Sequence, residues 1–386
     1  MSISAASAVG AHEEVPAGAS TAEASVPMVS LLMPICNVER YLEESLASAC
    51  AQTLRDIEII CIDDGSTDSS PKIIARAAAR DPRIRVITKP NSGYGDSMNR
   101  GLDAARGTYI GVLESDDIMY PHALEELVRA AEAAGAPVAK GNFDLYWSAP
   151  QERREFFEVA SEAHCSAPSC PREETFIFQQ KPSIWSGVYR RDFLARNGIR
   201  FLATPGASFQ DTSFSFKAFA CADLVAYVHD AVLAYRQDNE GSSVNSSHKV
   251  YCVCDEYAEI ERWLAGAFAE RFGSDAAARL RRCALVAKYD SYMWSYVRLA
   301  PRFHVEFLER MAAEYRASID EGAFSLDDLK PWKRANLTGI LRDPAAWERA
   351  NASYAKAGPA GRALHYLKLG GPGLLLSYAK SRLSHE

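Results

Sequence analysis

Residues 57–68 read Ile57-Glu58-Ile59-Ile60-Cys61-Ile62-Asp63-Asp64-Gly65-Ser66-Thr67-Asp68, an apolar run that stops at two adjacent carboxylates and a Gly-Ser turn. A short apolar run closed by turn residues suits a buried strand. Comparable runs at Val29–Met33, Ile84–Ile87 and Tyr109–Leu113 recur about every 25 residues with helical patterns between them, which is the rhythm of βα units. The first helical pattern carries Leu42, Ser45, Leu46, Ala49 and Cys50 on one face. The second opens at Ser70 and Pro71, a Ser N-cap with Pro at the first helical position. The fourth, after Pro121, spaces Leu124, Leu127, Val128 and Ala131 at the helical period. An α/β fold is expected, with a mostly parallel sheet flanked by helices.

In such sheets ligands bind beyond the carboxyl ends of the strands. The chain places its polar residues there: Asn37 after the first strand, Asp63 and Asp64 after the second, Asn91 after the third, and Glu114-Ser115-Asp116-Asp117 after the fourth. Three carboxylates this close repel and raise one another's pKa unless a cation lies between them. Acidic oxygens at a strand end suit Mg²⁺ or Mn²⁺, and a divalent ion implies a phosphate-bearing substrate. The other reading is a solvated acidic turn, with Asp117 and Pro121 marking the start of the next helix.

With 386 residues the chain exceeds the usual single-domain size, so a main domain with a smaller appendage is expected. Its net charge of -7 shows no basic excess and excludes nucleic acid as the main partner. An anionic substrate must therefore be met locally, by a metal or a few Arg and Lys. The nine cysteines are odd in number and partly embedded in apolar segments, which fits reduced thiols in a cytoplasmic protein. Cys252 and Cys254 lack a second pair and read as small buried residues rather than zinc ligands. Residues 1–27 read as a flexible tail, neither signal peptide nor anchor. No run reaches the roughly 18–20 apolar residues of a spanning helix. The stretch Leu364–Leu383, around Gly370, Gly371, Pro372 and Gly373, reads as an amphipathic helix pair or as a segment lying on an anionic membrane face.

The βα rhythm breaks after about residue 137. Val138–Trp147 reads as a strand, Pro150–Pro171 as a polar excursion, Arg191–Asn197 and Phe209–Ala220 as helices, and Leu224–Tyr235 as a strand or hairpin. From Val250 the pattern is helical: Tyr257, Ile260, Leu264 and Phe268 share a face, and Leu280–Leu299 is a second amphipathic stretch. The expected organisation is a tail over 1–27, a catalytic domain over 28–250 and a helical region over 251–386.

The ordered motifs, Val29 to Asn37 with Pro34, Ile59 to Asp68, Asn91 to Gly101, and Glu114 to Asp117, together resemble the family-2 glycosyltransferases of the GT-A fold, bacterial and of the surface-polysaccharide type. The likeness runs from about Val29 to Asn245. It implies a Rossmann-like sheet binding a nucleotide-sugar donor. By this resemblance Asp64 accepts a hydrogen bond from a uracil N–H, while the alternative is that Asp63, Asp64 and Asp68 form turns and cap the next helix. Pro34 shapes the loop under the base, and Asn37 belongs to the same donor site. Cys36 stands where some relatives have an aromatic residue. Asn91 and Gly93 open a Gly-rich loop before a helix, whose N–H groups suit a diphosphate. Asn99 and Arg100 either touch ligand or brace the fold.

The acidic cluster corresponds to the family's DxD motif, with Glu114 in place of its first Asp. Glu114 and Ser115 are then donor contacts, while Asp116 and Asp117 are the metal positions. Phe209 to Phe214 resembles the family's second acidic motif. Asp211 becomes the base that deprotonates an acceptor hydroxyl, and Gln210 replaces an acid as a hydrogen-bonding acceptor contact. The competing reading makes Asp211 part of a capping box with Ser208, at a helix start that depresses its pKa. Trp185, in Ile184 to Arg191, either stacks on an acceptor sugar or is core. Arg236, before Gly241 to Ser243, is read as the cation on a mobile loop over the diphosphate. His229 and His248 are candidates for a third metal ligand.

The resemblance implies a metal-dependent, inverting hexosyltransferase that uses Mn²⁺ or Mg²⁺ and a UDP-sugar. Its acceptor is a saccharide or a lipid-linked acceptor in polysaccharide or glycolipid synthesis, and its place is the cytoplasm, at the inner face of the cell membrane if the C-terminal region makes a peripheral membrane contact. Acceptor choice is expected to depend on loops around 150–210. Two alternatives remain in view: a metal-dependent nucleotidyltransferase, which wants a basic Gly-rich loop that Asn37 to Tyr41 lacks, and a catalytically weak nucleotide-sugar-binding scaffold, suggested by Glu114 and Gln210.

Overall fold

The apolar runs become the centre of one sheet. The computed structural model describes residues 26–207, 209–241, 249–356 and 358–383. In it β1 (Val29–Ile35), β2 (Ile57–Asp64), β3 (Ile84–Lys89) and β4 (Tyr109–Val112) pair in parallel in the order β3-β2-β1-β4. Every residue of β1 and β2 is buried, as near-continuous apolar runs in a two-sided sheet require. Helices α1 (Glu39–Cys50), α2 (Ser70–Ala78), α3 (Tyr94–Ala104) and α4 (Ala123–Ala134) connect and cover them. Tyr41, Leu42, Ser45, Leu46 and Ala49 are the buried face of α1, and Leu124, Leu127, Val128 and Ala131 belong to that of α4. Pro34 lies within β1, but β4 pairs with β1 only as far as Leu32, whose carbonyl accepts from Leu113 N–H. The missing donor of Pro34 therefore falls on the side where β4 has already ended, so no ladder bond is lost.

The second half of the sheet is mixed. After β5 (Ile118–Met119) come β6 (Val138–Trp147), β7 (Arg153–Phe157), the short α5 (Glu162–Cys165), β8 (Gly187–Arg190), α6 (Arg191–Arg196), α7 (Gln210–Cys221) and β9 (Val225–Arg236). The full order is β3-β2-β1-β4-β8-β6-β9-β5, with β7 beside β6. β8 runs antiparallel to both β4 and β6, and β9 is parallel to β6. One expectation changes here: the polar stretch after Pro150 contains β7, an antiparallel partner that stacks Phe157 on Phe143. Of the two readings of Leu224–Tyr235, the strand is the one that forms. Ser70 is also not the cap of α2: its hydroxyl accepts from Val38 N–H, while Asp68 accepts the N–H of both Ser70 and Glu39.

From residue 252 the chain is helical: α8 (Cys252–Trp263), a π-turn over Leu264–Phe268, α9 (Ala269–Phe272), α10 (Ser274–Tyr296), α11 (His304–Asp320), α12 (Pro331–Arg342), α13 (Pro344–Lys356) and α14 (Gly358–Leu383). α14 is kinked where Gly370 and Gly371 leave helical geometry. Tyr257, Ile260, Leu264 and Phe268 are all buried, as their shared face requires. α8 is joined to α7 by Glu256, which accepts Ser213 N–H at 3.0 Å, and by the Lys217–Glu259 ion pair. Among the described residues no helix is long and apolar enough to cross a membrane. α14 leaves Leu364, Leu367, Leu369 and Leu376 exposed. The nine cysteines are all unpaired. Most of the expected tail, up to residue 25, lies outside the described residues.

Candidate active site

At the ends of β1 to β3 the polar residues hold one another. Asn37, at a left-handed φ of 51°, accepts from Thr67 N–H at 2.8 Å and donates its own N–H to Ser66 Oγ, tying the first loop to the second. Asp64 is paired with buried Lys89 and accepts the N–H groups of Ser92 at 2.8 Å and Gly93 at 3.0 Å. Asn91 donates its amide to Asp64 O and to Cys36 Sγ. Gly93 has φ 96°, and a Cβ there would lie 2.8 Å from Gly206 N, so only glycine fits. The expected diphosphate cradle is corrected by these bonds: the N–H groups of Ser92 and Gly93 go to Asp64, and that of Tyr94 goes to Gly206 O. Asn99 pairs through both amide atoms with the backbone of Phe201, and Arg100 with Asp96, so both brace the fold.

The acidic cluster is less charged than its composition suggests. Glu114 accepts from Tyr94 Oη at 2.6 Å, and burial, assisted by Asp116 and Asp211, pushes its pKa up to about 8. Ser115 is buried beside it. Asp116 accepts from Asn239 Nδ2 at 2.8 Å, and burial raises its pKa. Asp117 is fully buried; its Oδ1 accepts Arg236 N–H at 2.8 Å, while Oδ2 has no hydrogen-bond partner among the described residues. Burial and the neighbouring Asp116 raise the Asp117 pKa well above its ordinary value.

Arg236 is not a loop cation. It ends β9 with its side chain almost wholly enclosed, bonds Asp116 O through Nε at 2.7 Å and Glu44 through Nη2 at 2.6 Å, and lies against the rings of Tyr41 and Tyr146. A guanidinium so committed shapes the acidic loop rather than closing over a phosphate. His229 packs its ring on Phe156 instead of joining the cluster. His248 and Ser208 lie outside the described residues.

Asp211 lies in the first turn of α7, two residues after Phe209, whose φ of 64° is strained for a bulky side chain. Burial raises its pKa to about 6, opposed by the positive charges of Lys181 and Lys140. Desolvation thus outweighs the helix start that the sequence reading took to depress it. Gln210 does not face an acceptor: its amide donates to Thr204 Oγ1 and Gly206 O, fixing the loop that seats Gly93. Trp185 is only 5% exposed, stacked on Tyr235 and edge-on to Phe143.

Two lysines escaped the sequence reading. Lys181 lies 4.1 Å from the Tyr235 ring centroid, and burial brings its pKa down to about 8, offset by Asp211 and Asp117. Lys140, inside β6, donates to Ser183 Oγ at 2.8 Å, and burial brings it down to about 7. A lysine inside the apolar strand Val138–Trp147 was a visible signal, since lysine is rarely buried without purpose; Lys181, among Gln179 and Gln180, gave none. Asp211, Lys181, Trp185 and Tyr235 line one cavity of about 1120 Å³.

The raised acids set a pH dependence of stability. Glu256 is buried and its pKa is pushed up to about 7, so between about pH 4.5 and 7 the native state holds a proton that the unfolded chain has released. Stability then falls as pH rises through that window. Glu256→Gln removes this penalty, by at most about 1.4 kcal/mol per pH unit. Its melting temperature relative to the unsubstituted protein is expected to be higher at pH 7 than at pH 5, and an equal gap at both pH values rejects the assignment.

Among the described residues no group of three or more His, Cys, Asp or Glu is arranged to hold a metal alone. The unpartnered Asp117 Oδ2 beside Asp116 instead suits a cation held by two carboxylates and completed by substrate phosphates, as Mg²⁺ is commonly bound.

The model of the family described as Glycosyl transferase family 2 matches residues 30–193. The Bacillus subtilis "Uncharacterized glycosyltransferase EpsJ" is 30% identical over 262 residues, which cover 66% of this chain and 73% of that protein. The Rhizobium meliloti "Succinoglycan biosynthesis protein ExoO" is 33% identical over 181 residues, 46% of this chain and 51% of its own length. The crystal structure of S. aureus TarS 1-349 in complex with UDP-GlcNAc superposes with a TM-score of 0.66 at 17% identity, covering 85% of this chain and 92% of that one. That likeness is one of fold.

Proposed function

We propose that this chain, which belongs to the family 2 glycosyltransferases, moves a sugar from a UDP-sugar donor to a hydroxyl of a saccharide or lipid-linked acceptor, with inversion. The observation that carries the reading is Asp211: a carboxylate in the wall of a large cavity, its pKa raised to about 6, acting electrostatically on Glu114 of the acidic cluster. A base poised near neutrality is ionised at pH 7 yet able to take a proton. As the acceptor oxygen attacks the anomeric carbon, its proton passes to Asp211 Oδ while the bond to the nucleoside diphosphate breaks on the opposite face. One displacement inverts the centre. Lys181 and Lys140 keep Asp211 from rising further, and Trp185 with Tyr235 forms a rigid wall beneath Lys181.

Asp116 and Asp117 are the residues that would hold Mn²⁺ or Mg²⁺, which when bound offsets the charge growing on the departing diphosphate. Glu114, holding its proton near neutrality, acts as a hydrogen-bonding group rather than an anion. Asp64 acts on the donor through the loop it holds, with Asn37, Asn91 and the backbone at Pro34 completing the rim of the base site. The name of the Rhizobium meliloti relative supports a role in polysaccharide synthesis.

Incubation with a panel of UDP-sugars and Mn²⁺ is expected to release UDP slowly by hydrolysis without acceptor. Intact UDP binding with no release from any donor would identify a scaffold instead. We place the chain at the inner membrane face through α14, whose exposed leucines lie among Arg362, Lys368 and Lys380 with no acid between residues 358 and 383. Salt-sensitive co-sedimentation with phosphatidylglycerol vesicles, absent with phosphatidylcholine, is the expected result; indifference to lipid charge refutes it.

A further inference from the structure

The cavity that takes in Asp211 does not end at the sheet. Its other arm is walled by α10, α12, α13 and α14, through Trp294, Trp332, Trp347, Tyr354, His365 and Tyr366. At about 1120 Å³ it exceeds the roughly 300–1,000 Å³ that serves one small ligand. We propose that this arm binds the saccharide chain of the acceptor, seating sugar units behind the hydroxyl that reacts at Asp211; the inference rests on the transferase reading above.

The chemistry of the wall selects a saccharide. A pyranose offers an apolar C–H face to an aromatic ring and a rim of hydroxyls to hydrogen-bonding groups, and the arm supplies both. Tyr366 and Tyr378 stack at 4.1 Å, with Trp332 edge-on to each. Trp347 and His365 are each at least nine-tenths buried, yet among the described residues Trp347 Nε1 and His365 Nε2 have no hydrogen-bond partner, nor has Trp332 Nε1. Such atoms are costly to leave unpaired. The wall also carries the Asp290–Lys333 ion pair, Glu348 and Arg362. An acyl chain would desolvate those charges without compensation, whereas hydroxyls bond to them. Gly339 is part of the construction: a Cβ there would lie 2.6 Å from Trp347 Cδ1, so the indole can lie on α12 only because that position is bare.

This adds α10 and α12 to α14 to the loops around 150–210 as determinants of acceptor choice. Within 150–171 the chain forms β7 and the short α5, and Phe157 at the end of β7 reaches the cavity wall. From the expected region, Phe157, Ile177 to Ser183, Trp185 and Phe209 line the part of the cavity nearer Asp211.

The test uses the full chain on an array of defined bacterial and glycosaminoglycan fragments from mono- to hexasaccharides, with UDP release measured on the same preparations. Oligosaccharides are expected to be retained at least about tenfold better than their monosaccharides. Trp332→Ala and Trp347→Phe, the second keeping a ring but losing the N–H, are expected to weaken retention by about tenfold or more while leaving UDP release within about twofold. Retention of no glycan, or retention unchanged in both variants, overturns the proposal. So does displacement of a bound fluorescent fatty acid by long-chain lipid with no glycan retained. Glycan retention without UDP release from the unsubstituted protein would count against the transferase reading while leaving the saccharide arm standing.

Discussion

Asp211→Asn is expected to reduce sugar transfer by about 10²- to 10⁴-fold, the range of general-base contributions, with UDP affinity unchanged. The amide keeps the size and the position at the start of α7 but cannot take the acceptor's proton. The charge environment adds a second readout. Because burial sets Asp211 near 6 against the pull of Lys181 and Lys140, the rate in the unsubstituted protein is expected to fall as pH drops below about 6. Lys181→Met removes the larger opposing charge, so the acid limb is expected to move to higher pH. Steady-state rates of UDP formation over pH 5 to 8, with and without acceptor, check both points. Full transfer activity in Asp211→Asn would end the assignment of the base.

Asp116→Ala is expected to abolish the strengthening of UDP binding by Mn²⁺, a loss of at least about 10- to 100-fold, which is what even supporting groups cost at metal sites. Binding measured without metal should survive, because the loop that Asp64 holds is untouched. Asp117→Asn separates ligand from scaffold. Its oxygen can still accept Arg236 N–H, and the neutral amide places no charge where burial and Asp116 disfavour one. The melting temperature is therefore expected to hold at pH 7 while the Mn²⁺ effect on UDP binding weakens. Calorimetric titrations with and without MnCl₂ report the first quantity and thermal unfolding the second. An unaltered Mn²⁺ effect in both variants would remove the cation from this cluster.

The elements that were legible in the sequence are those whose signal is local. β1 to β4 follow from short apolar runs with turn residues after them, and α4 from four apolar residues at the helical period. β6 begins at Val138 and ends at Trp147, as its run suggested. β7 was missed because Arg153 to Phe157 is largely exposed and has too little apolar alternation to announce a strand; its pairing with β6 makes it one. Ser70 looked like a cap because Pro71 follows it, yet its hydroxyl faces Val38, in a loop that only the fold brings near.

The candidate site divides along the same line. Residue types and motif order made Asp64, Asp116 and Asp211 candidates. What those groups are doing depends on neighbours remote in the chain. Arg236 was read as a mobile cation, but its partner Glu44 is 192 residues away, and only the packed sheet encloses the guanidinium between them. Gln210 was read as an acceptor contact and instead fastens the loop under Gly93.

By itself, then, the sequence determined the alternation of strands and helices, the convergence of polar residues at four strand ends and the identity of the acids, because propensity, periodicity and turn chemistry act over a few residues. Only the tertiary structure decided the upward pKa shifts of Glu114, Asp117 and Asp211, the commitment of the Ser92, Gly93 and Tyr94 amides, and the aromatic arm of the cavity. Those properties depend on desolvation and on contacts between distant segments, and neither exists until the chain has closed around the site.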